Sequence, residues 1–231
     1  MILALDSTAT VASVAICRDE TPIAAFTVNN GNTHSETLLP MVEAALASAG
    51  LALSDIELFA ASVGPGSFTG VRIGTATVKG LAFGTGKPCI GVSTLLAHAE
   101  NLLPFGGILC PVMNARRGQV YNALFRANGT EIERLCPDRA LSVADLCAEL
   151  KELGEPFALS GDGIPEFLAH AVDLTPAPIS PLLPAQNAVS VAKCALQDYL
   201  AGARGSDADL TPVYLRLPQA ERERLERLSK A

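Results

Sequence analysis

The order of the apolar segments in the N-terminal part of the chain restricts the fold more than any other feature. Three short runs, rich in β-branched and small apolar residues, lie at residues 2–5, 12–17 and 22–28. Turn-forming residues separate them, and this pattern predicts three consecutive antiparallel strands. A chain that begins in this way commits its first residues to one sheet, and the segments that follow must cover that sheet.

Helix and strand signals alternate after these runs. Thr33 and Glu36 fit a capping box, which predicts a helix from there to about Gly50. Further elements are predicted as a strand at 55–63, a helix at 68–85, a strand at 89–92 and a helix at 94–102. The order β-β-β-α-β-α is that of a ribonuclease H-like lobe, so the sequence predicts an α/β protein.

A second lobe is predicted after the sequence PFGG at residues 104–107, which reads as a hinge. We therefore expect an N-terminal lobe at 1–103 and a second ribonuclease H-like lobe at 108–215. The second lobe carries a hairpin signal, Asn128-Gly129, and helices are predicted at 142–153 and 188–200. Residues 216–231 contain eight charged side chains and predict a terminal helix or tail in solvent.

Composition bears on compartment and partners. The net charge is −7, Trp is absent and aromatic residues make up 5% of the chain, so the isolated chain is expected to bind RNA poorly. Six cysteines without any C-x-x-C pair favour a reduced, cytoplasmic protein. Mean hydropathy is +0.31, but the longest charge-free run, residues 174–192, contains four prolines and predicts no membrane span.

The segment GPGSFTG, which precedes the helix at 68–85, has two interpretations. Gly64, Gly66 and Ser67 could approach a phosphate at the start of the helix. The segment lacks the Lys-Ser/Thr of a Walker loop and the G-x-S-x-G frame of a hydrolase, so a structural turn is the competing interpretation. Gly161 and Gly163, in a second Gly-Asp-Gly turn, are weaker candidates for the same role.

The remaining polar candidates are few. Asp6 follows the first strand, where it could act on phosphate or Mg²⁺, or simply cap the turn. The spacing of His34, His98 and His170 matches no metal motif and favours capping or surface roles. An anion could lie between lobes near three arginines, for which solvent exposure is the alternative: Arg72, Arg116 and Arg117.

Four glycines form two i,i+4 pairs on the second helix: Gly70, Gly74, Gly80 and Gly84. Each interior glycine costs about 1 kcal/mol relative to alanine, so something must offset the cost. Close packing on the chain's own sheet and close approach of a partner helix are both open. Because the helix at 34–50 has excess apolar surface, we expect a partner interface on the two helices, carried by Leu39, Val42, Leu46, Val71, Thr75 and Val78.

Several segments together resemble one family closely: ILALDST, HSETLLPMVEAAL, VGPGSFTGVRIGTATVKGLAFG, NARRGQVY and PVYLR. The chain resembles the TsaB family, also called YeaZ, the non-catalytic subunits of bacterial tRNA threonylcarbamoyladenosine synthase. The resemblance implies a two-lobed, actin-like ASKHA fold. It also implies a helix-bundle contact with the catalytic paralogue TsaD, together with the ATPase TsaE. The complex transfers threonylcarbamoyl to the adenosine next to the anticodon of tRNAs that read ANN codons.

The resemblance further implies no catalytic residue, cofactor or metal in this chain, a homodimer when it is alone, and contact with tRNA only through the complex. TsaD-like paralogues carry H-x-x-x-H, whereas this chain has Thr94 and His98 at the matching places. The segment DSTAT also lacks the glycine that nucleotide-binding relatives place near phosphate. The alternative function is an ATP- or metal-dependent enzyme of the same fold, a transferase or a glycoprotease-like hydrolase.

Overall fold

The computed structural model describes residues 1–171, 173–180, 183 and 186–216. It confirms the predicted two-lobed α/β architecture, with two separate sheets. The first sheet has the order β3-β2-β1-β4-β5, in which β1, β2 and β3 are antiparallel while β4 and β5 run parallel to β1. Its strands are β1 Ile2–Asp6, β2 Ala12–Arg18, β3 Thr21–Val28, β4 Leu58–Gly64 and β5 Cys89–Ser93.

Helices cover both faces of this sheet. One face carries α1 His34–Ala49 and α2 Phe68–Thr85, and the other carries α3 Thr94–Leu102 and α6 Ala188–Leu200. Central strands are therefore buried on both sides, which explains why β1 and β4 read as continuous apolar runs rather than alternating ones. None of the described helices has the length and apolar character needed to cross a membrane.

The second sheet has the order β10-β7-β6-β8-β9, and a further strand, β11, pairs parallel with β6. Its strands are β6 Ile108–Arg116, β7 Gln119–Asn122, β8 Phe125–Asn128, β9 Glu131–Arg134, β10 Arg139–Ser142 and β11 Phe157–Ser160. Two helices, α4 Val143–Leu153 and α5 Ile164–His170, accompany it. The Asn128-Gly129 signal gives the β8–β9 hairpin as predicted, whereas α5 was not predicted.

The range 108–215 predicted for the second lobe is too long. Helix α6 packs on β1, β2 and β5, and its apolar face completes the core behind the first sheet. After α6 the chain also stays with the first lobe, where Leu210 is buried beneath α2 and Val213 N donates to Val63 O at 2.7 Å. The sequence gives no local signal of this return. The terminal segment predicted at 216–231 lies outside the described residues, apart from Arg216.

The first turn of α1 differs from its predicted cap. The helix begins where expected, but the Thr33 side chain makes no capping hydrogen bond. Its hydroxyl lies 3.0 Å from Ser35 Oγ instead, and the backbone N of Glu36 donates to Thr33 O at 3.0 Å. The neighbouring serine competes for the hydroxyl that a capping box would use.

Candidate functional site

The GPGSFTG segment joins β4 to α2 and is held by the chain's own backbone. Ser67 N donates to Thr8 O at 2.7 Å, in the turn after β1. A Cβ on Gly66 would lie 2.4 Å from that same Thr8 oxygen, and a Cβ on Gly64 would lie 2.4 Å from Val213 O. The glycines therefore admit other parts of this chain, and the structural-turn interpretation accounts for them. The segment does not fit a phosphate cradle.

Asp6 is buried at the end of β1 and serves that same turn. One carboxylate oxygen, Oδ1, accepts from Thr8 N at 2.9 Å and from Thr8 Oγ1 at 2.7 Å, while Oδ2 accepts from Ser62 Oγ at 2.9 Å. Both oxygens are thus occupied by the protein itself. The arrangement matches the turn-capping alternative for Asp6.

The Gly-Asp-Gly turn after β11 is packed against β6. A Cβ on Gly161 would lie 2.1 Å from Val112 O, and Gly163 N donates to that oxygen at 3.0 Å. Between them, Asp162 accepts from Asn114 N at 2.9 Å, and burial raises the pKa of its carboxyl. This turn fixes the start of α5 onto the second sheet, so both of its glycines have a packing role.

The junction of the two lobes contains a fully buried histidine, His98 on α3. Its Nδ1 lies 3.5 Å from Ser160 Oγ and its Nε2 lies 3.4 Å from Gln186 Nε2. Burial lowers the pKa of His98, so the ring is neutral near pH 7. One turn earlier, the buried Thr94 Oγ1 has no hydrogen-bond partner among the described residues. A hydroxyl and one imidazole do not make a transition-metal site.

The other two histidines have local partners. Nε2 of His34 lies 2.6 Å from Ala9 O at the start of α1, and Nδ1 of His170 lies 3.0 Å from Glu166 O on α5. Across the described ranges, no group of three His, Cys, Asp or Glu side chains is placed to hold a metal ion. The six cysteines are all free thiols, and burial raises the pKa of Cys17 to about 11.

The six residues predicted for a partner interface fall into two groups. Leu39 is 48% exposed and Leu46 is half-buried, so both can contact a partner. The other four lie in this chain's own interior and are not accessible: Val42, Val71, Thr75 and Val78. Their prediction as contact residues is wrong, because the apolar stripes of α1 and α2 face the first sheet.

The two glycine pairs of α2 have opposite surroundings. A Cβ on Gly70 would lie 2.1 Å from Ser7 O, and one on Gly74 would lie 2.4 Å from Ser7 Oγ. A Cβ on Gly80 or Gly84 would meet no atom of residues 1–171, 173–180, 183 or 186–216 within 4 Å. We call Gly70 and Gly74 the buried glycine pair, and Gly80 and Gly84 the exposed glycine pair. Packing within the chain explains only the first pair.

Phe83 lies between the members of the exposed glycine pair, and it is 78% exposed. The outward side of this end of α2 also carries Ala76, so it presents small and aromatic groups where a surface helix usually presents charges. Helix α4 shows the usual pattern, with Asp145, Lys151 and Glu152 exposed. Sequence reasoning missed Phe83, although its position three residues after Gly80 places both on one side of the helix.

The three arginines considered for an anion site come together with residues that the sequence did not single out. Arg72 Nε donates to Tyr214 Oη at 2.8 Å, and Arg72 Cζ lies 3.9 Å from the centre of the Phe68 ring. Arg116 is the last residue of β6 and Arg117 begins the turn to β7. Next to them, the carbonyl of Ala115 accepts from Arg216 Nη1 at 2.7 Å. The strand-to-strand turn and the C-terminal segment thus meet at one edge of the molecule.

Comparison with known proteins gives one consistent result. The family model described as TsaD, tRNA N6-adenosine threonylcarbamoyltransferase, matches residues 29–181. The Bacillus subtilis protein named tRNA threonylcarbamoyladenosine biosynthesis protein TsaB is 32% identical over 97% of this chain and 98% of its own length. A tRNA N6-adenosine threonylcarbamoyltransferase from a Jannaschia species is 53% identical over 29% of this chain and 18% of its own.

A solved structure agrees. The crystal structure from Pseudomonas aeruginosa of a protein described as similar to peptidase YeaZ superposes with a TM-score of 0.81, at 27% identity. The superposition covers 93% of this chain and 99% of that chain. Both the sequence match to the Bacillus subtilis protein and this superposition extend over nearly the full length of each chain.

Proposed function

The chain belongs to the TsaB (YeaZ) family, and from this premise we propose that it is the partner subunit of a TsaD-type threonylcarbamoyltransferase in tRNA threonylcarbamoyladenosine biosynthesis. Relatives named for this pathway support the role along the full chain. Similarity to the transferases themselves supports a paralogous partner, because paralogues that share a fold can pair through equivalent surfaces. The family resemblance expected from the sequence motifs is confirmed.

The docking surface in this proposal is the outward side of α1 and α2. The observation that carries it is the exposed glycine pair with Phe83 between its members. Gly80 lies inside α2 and costs about 1 kcal/mol relative to alanine, Gly84 lies one residue before the end of the helix, and none of the described residues packs against either glycine. Close packing of a second helix over Gly80 and Gly84 would offset this loss of helix stability, with Phe83 and Leu39 as apolar contact residues.

The subunit contributes no catalytic group in this proposal. Support comes from the hydrogen bonds of its polar candidates: the Asp6 carboxylate accepts from Thr8 and Ser62, and Ser67 N of GPGSFTG donates to Thr8 O in the turn after β1. A phosphate or a substrate would have to displace these internal partners at a cost in stability. The TsaD-type partner would therefore supply the chemistry.

Assembly in this proposal has three further parts. The same helical surface forms a homodimer when the partner is absent, because a self-complementary patch pairs about a twofold axis. A TsaE-type ATPase joins the assembled pair, and tRNA is met in the complex rather than by the isolated acidic chain. The free thiols agree with assembly in the reducing cytoplasm.

The test is reconstitution with the TsaD-type and TsaE-type proteins of the same organism, followed by a tRNA modification assay with this chain present or omitted. We expect modification to require the chain. Phe83→Asp should weaken binding to the TsaD-type protein by about 2 kcal/mol or more, roughly thirtyfold, with the fold retained. Leu200→Asp is the matched control, because Leu200 is 75% exposed on α6, across the first sheet from α2.

Two results would contradict the proposal. Full modification without the chain would remove its role in the complex, and an unchanged affinity for Phe83→Asp would remove the docking surface. Calorimetric titration of the isolated chain with ATP-Mg²⁺ tests the non-catalytic part separately. No binding is expected there, and binding in the micromolar range would favour an enzyme.

A further inference from the structure

Four arginines from three segments lie along one edge of the molecule: Arg72 on α2, Arg116 at the end of β6 followed by Arg117 in the turn to β7, and Arg216 at the end of the described chain. They are four of the thirteen Lys and Arg residues among positions 1–216. Contacts through Tyr214 and Ala115 join these elements, and the three arginines on α2 and in the turn are exposed. We call these four residues the arginine edge.

Three arginines of the arginine edge carry a charge that no described carboxylate neutralises. Among the described residues, Arg72, Arg117 and Arg216 take part in none of the ion pairs. Near the end of β6, the Asp162 carboxylate accepts from Asn114 N at 2.9 Å, and burial raises the pKa of that carboxyl. On a chain with a net charge of −7, this edge is therefore a local positive patch.

Two consecutive arginines at the end of β6 and in the turn that follows adopt a left-handed backbone conformation, which is unfavourable for residues with a side chain. Arg116 has φ of 64° and Arg117 has φ of 58°, in the left-handed region, and Gly118 follows with 69°. The two loop residues of this hairpin are Arg117 and Gly118, and both have positive φ. At such a pair Asn-Gly is preferred, and a long side chain at the first position is disfavoured. Strain of this kind at exposed residues is typical of a binding site.

An aromatic platform completes the edge. The rings of Phe68 and Tyr214 have centroids 4.7 Å apart, and the Arg72 guanidinium lies over Phe68. Tyr214 is 39% exposed. Phe68 is half-buried beneath Arg72, so Tyr214 is the exposed ring of the pair. A cation beside an exposed aromatic ring is a combination that proteins use for RNA, since the cation binds phosphate and the ring stacks on a base.

We propose that the arginine edge binds phosphate groups of the tRNA backbone once the subunit is assembled with its TsaD-type partner. The proposal rests on the proposed function, because only the complex is expected to bring tRNA to this subunit. It also explains how an acidic chain can contribute to RNA binding, since the positive groups are gathered at one edge while the rest of the surface repels phosphate.

The test uses the reconstituted complex and a tRNA transcript, with affinity measured by fluorescence anisotropy over a salt series. The variant is Arg117→Asn, which removes one charge and gives the turn its preferred Asn-Gly pair, so its thermal stability should equal or exceed that of the wild type. We expect complex assembly to be unchanged and tRNA affinity to fall several-fold. The slope of log affinity against log salt should shrink by about 0.7 to 0.9, the loss of one phosphate contact.

The matched control is Arg18→Asn, which removes one charge at the β2–β3 turn, away from the edge. Equal losses in both variants, or no loss in Arg117→Asn with the complex assembled, would overturn the proposal. Weaker assembly with either protein partner would assign the edge to a protein contact and overturn it as well. Displacement by ATP at the same residues would assign the phosphates to free nucleotide. If the wild-type chains do not assemble, the proposed function itself fails.

Discussion

The two glycine pairs of α2 share one helix and one spacing but differ in what they pack against. The buried glycine pair admits the turn after β1, with Ser7 against both Gly70 and Gly74. No atom of the described residues lies against the exposed glycine pair. The comparison separates two uses of small residues, one that closes a fold and one that leaves a surface open to another helix.

The largest effect is expected at the buried pair. Gly70→Ala would place a Cβ 2.1 Å from Ser7 O, which is backbone and cannot move aside easily. We expect a loss of about 3 kcal/mol in the free energy of unfolding, which lowers Tm by roughly 6 to 12 °C. Thermal denaturation checks it, and a change below 1 °C would show that the turn after β1 is not held by α2.

The second prediction concerns Asp6, whose carboxylate also holds the turn after β1. Asp6→Asn would set an amide N–H against the hydroxyl and amide donors of Thr8 and Ser62, so one buried donor would lose its acceptor. We expect a loss of about 2 kcal/mol on denaturant titration. Modification activity of the reconstituted complex should be normal at temperatures where the variant is folded. A loss of activity with unchanged stability would instead give Asp6 a chemical role.

The stability of the protein is expected to fall in acid because of His98, which is buried at the junction of the two lobes. Burial lowers its pKa below the ordinary 6.5, and this outweighs the opposing influence of Asp6 and Asp162. Since the unfolded chain binds a proton at higher pH than the folded chain does, the stabilisation is complete above about pH 6.5 and is lost as pH falls from there towards the folded pKa. The slope reaches at most about 1.4 kcal/mol per pH unit.

Unfolding titrations between pH 5 and pH 7.5 measure this slope in the wild type and in His98→Gln. The variant should lose the part of the slope that belongs to one proton. Identical slopes would mean that the His98 ring takes up its proton at the same pH in the folded and the unfolded chain.

The smallest change in stability is expected at the exposed pair, and its sign is opposite. Gly80→Ala adds a methyl group into open space, so the isolated chain should gain about 1 kcal/mol from helix propensity. Thermal denaturation of the monomer, at a concentration where self-association is absent, checks the sign. A loss of stability would show that Gly80 is needed within the chain.

Much of the fold follows from local pattern. The positions of β1, β2, β3, α2, α3 and α6 agree with the apolar runs and turn residues of the sequence. What could not be predicted depends on distant contacts. The residues of α6 do not indicate which of the two sheets the helix will pack on. The hydrogen bond from Ser67 N to Thr8 O joins two turns that are far apart in the sequence, so no local pattern predicts it.

The candidate surface was predicted only in part, for a similar reason. Val71 and Val78 are apolar residues on the correct helix, but their side faces the first sheet, and periodicity alone does not distinguish a core side from a partner side. The glycines of α2 were more informative, because glycine in a helix is unfavourable relative to alanine unless another group packs closely against it. Only the structure divides them into the pair with an internal neighbour and the pair without one.

The central claim is that the exposed glycine pair receives a partner helix. The direct test is the affinity of Gly80→Ala/Gly84→Ala for the TsaD-type protein, measured by sedimentation or calorimetry beside Gly74→Ala at a temperature where both are folded. We expect the double variant to bind the TsaD-type protein at least about tenfold more weakly than the wild type, although it is more stable. Gly74→Ala should bind as the wild type does. Wild-type affinity in the double variant would contradict it.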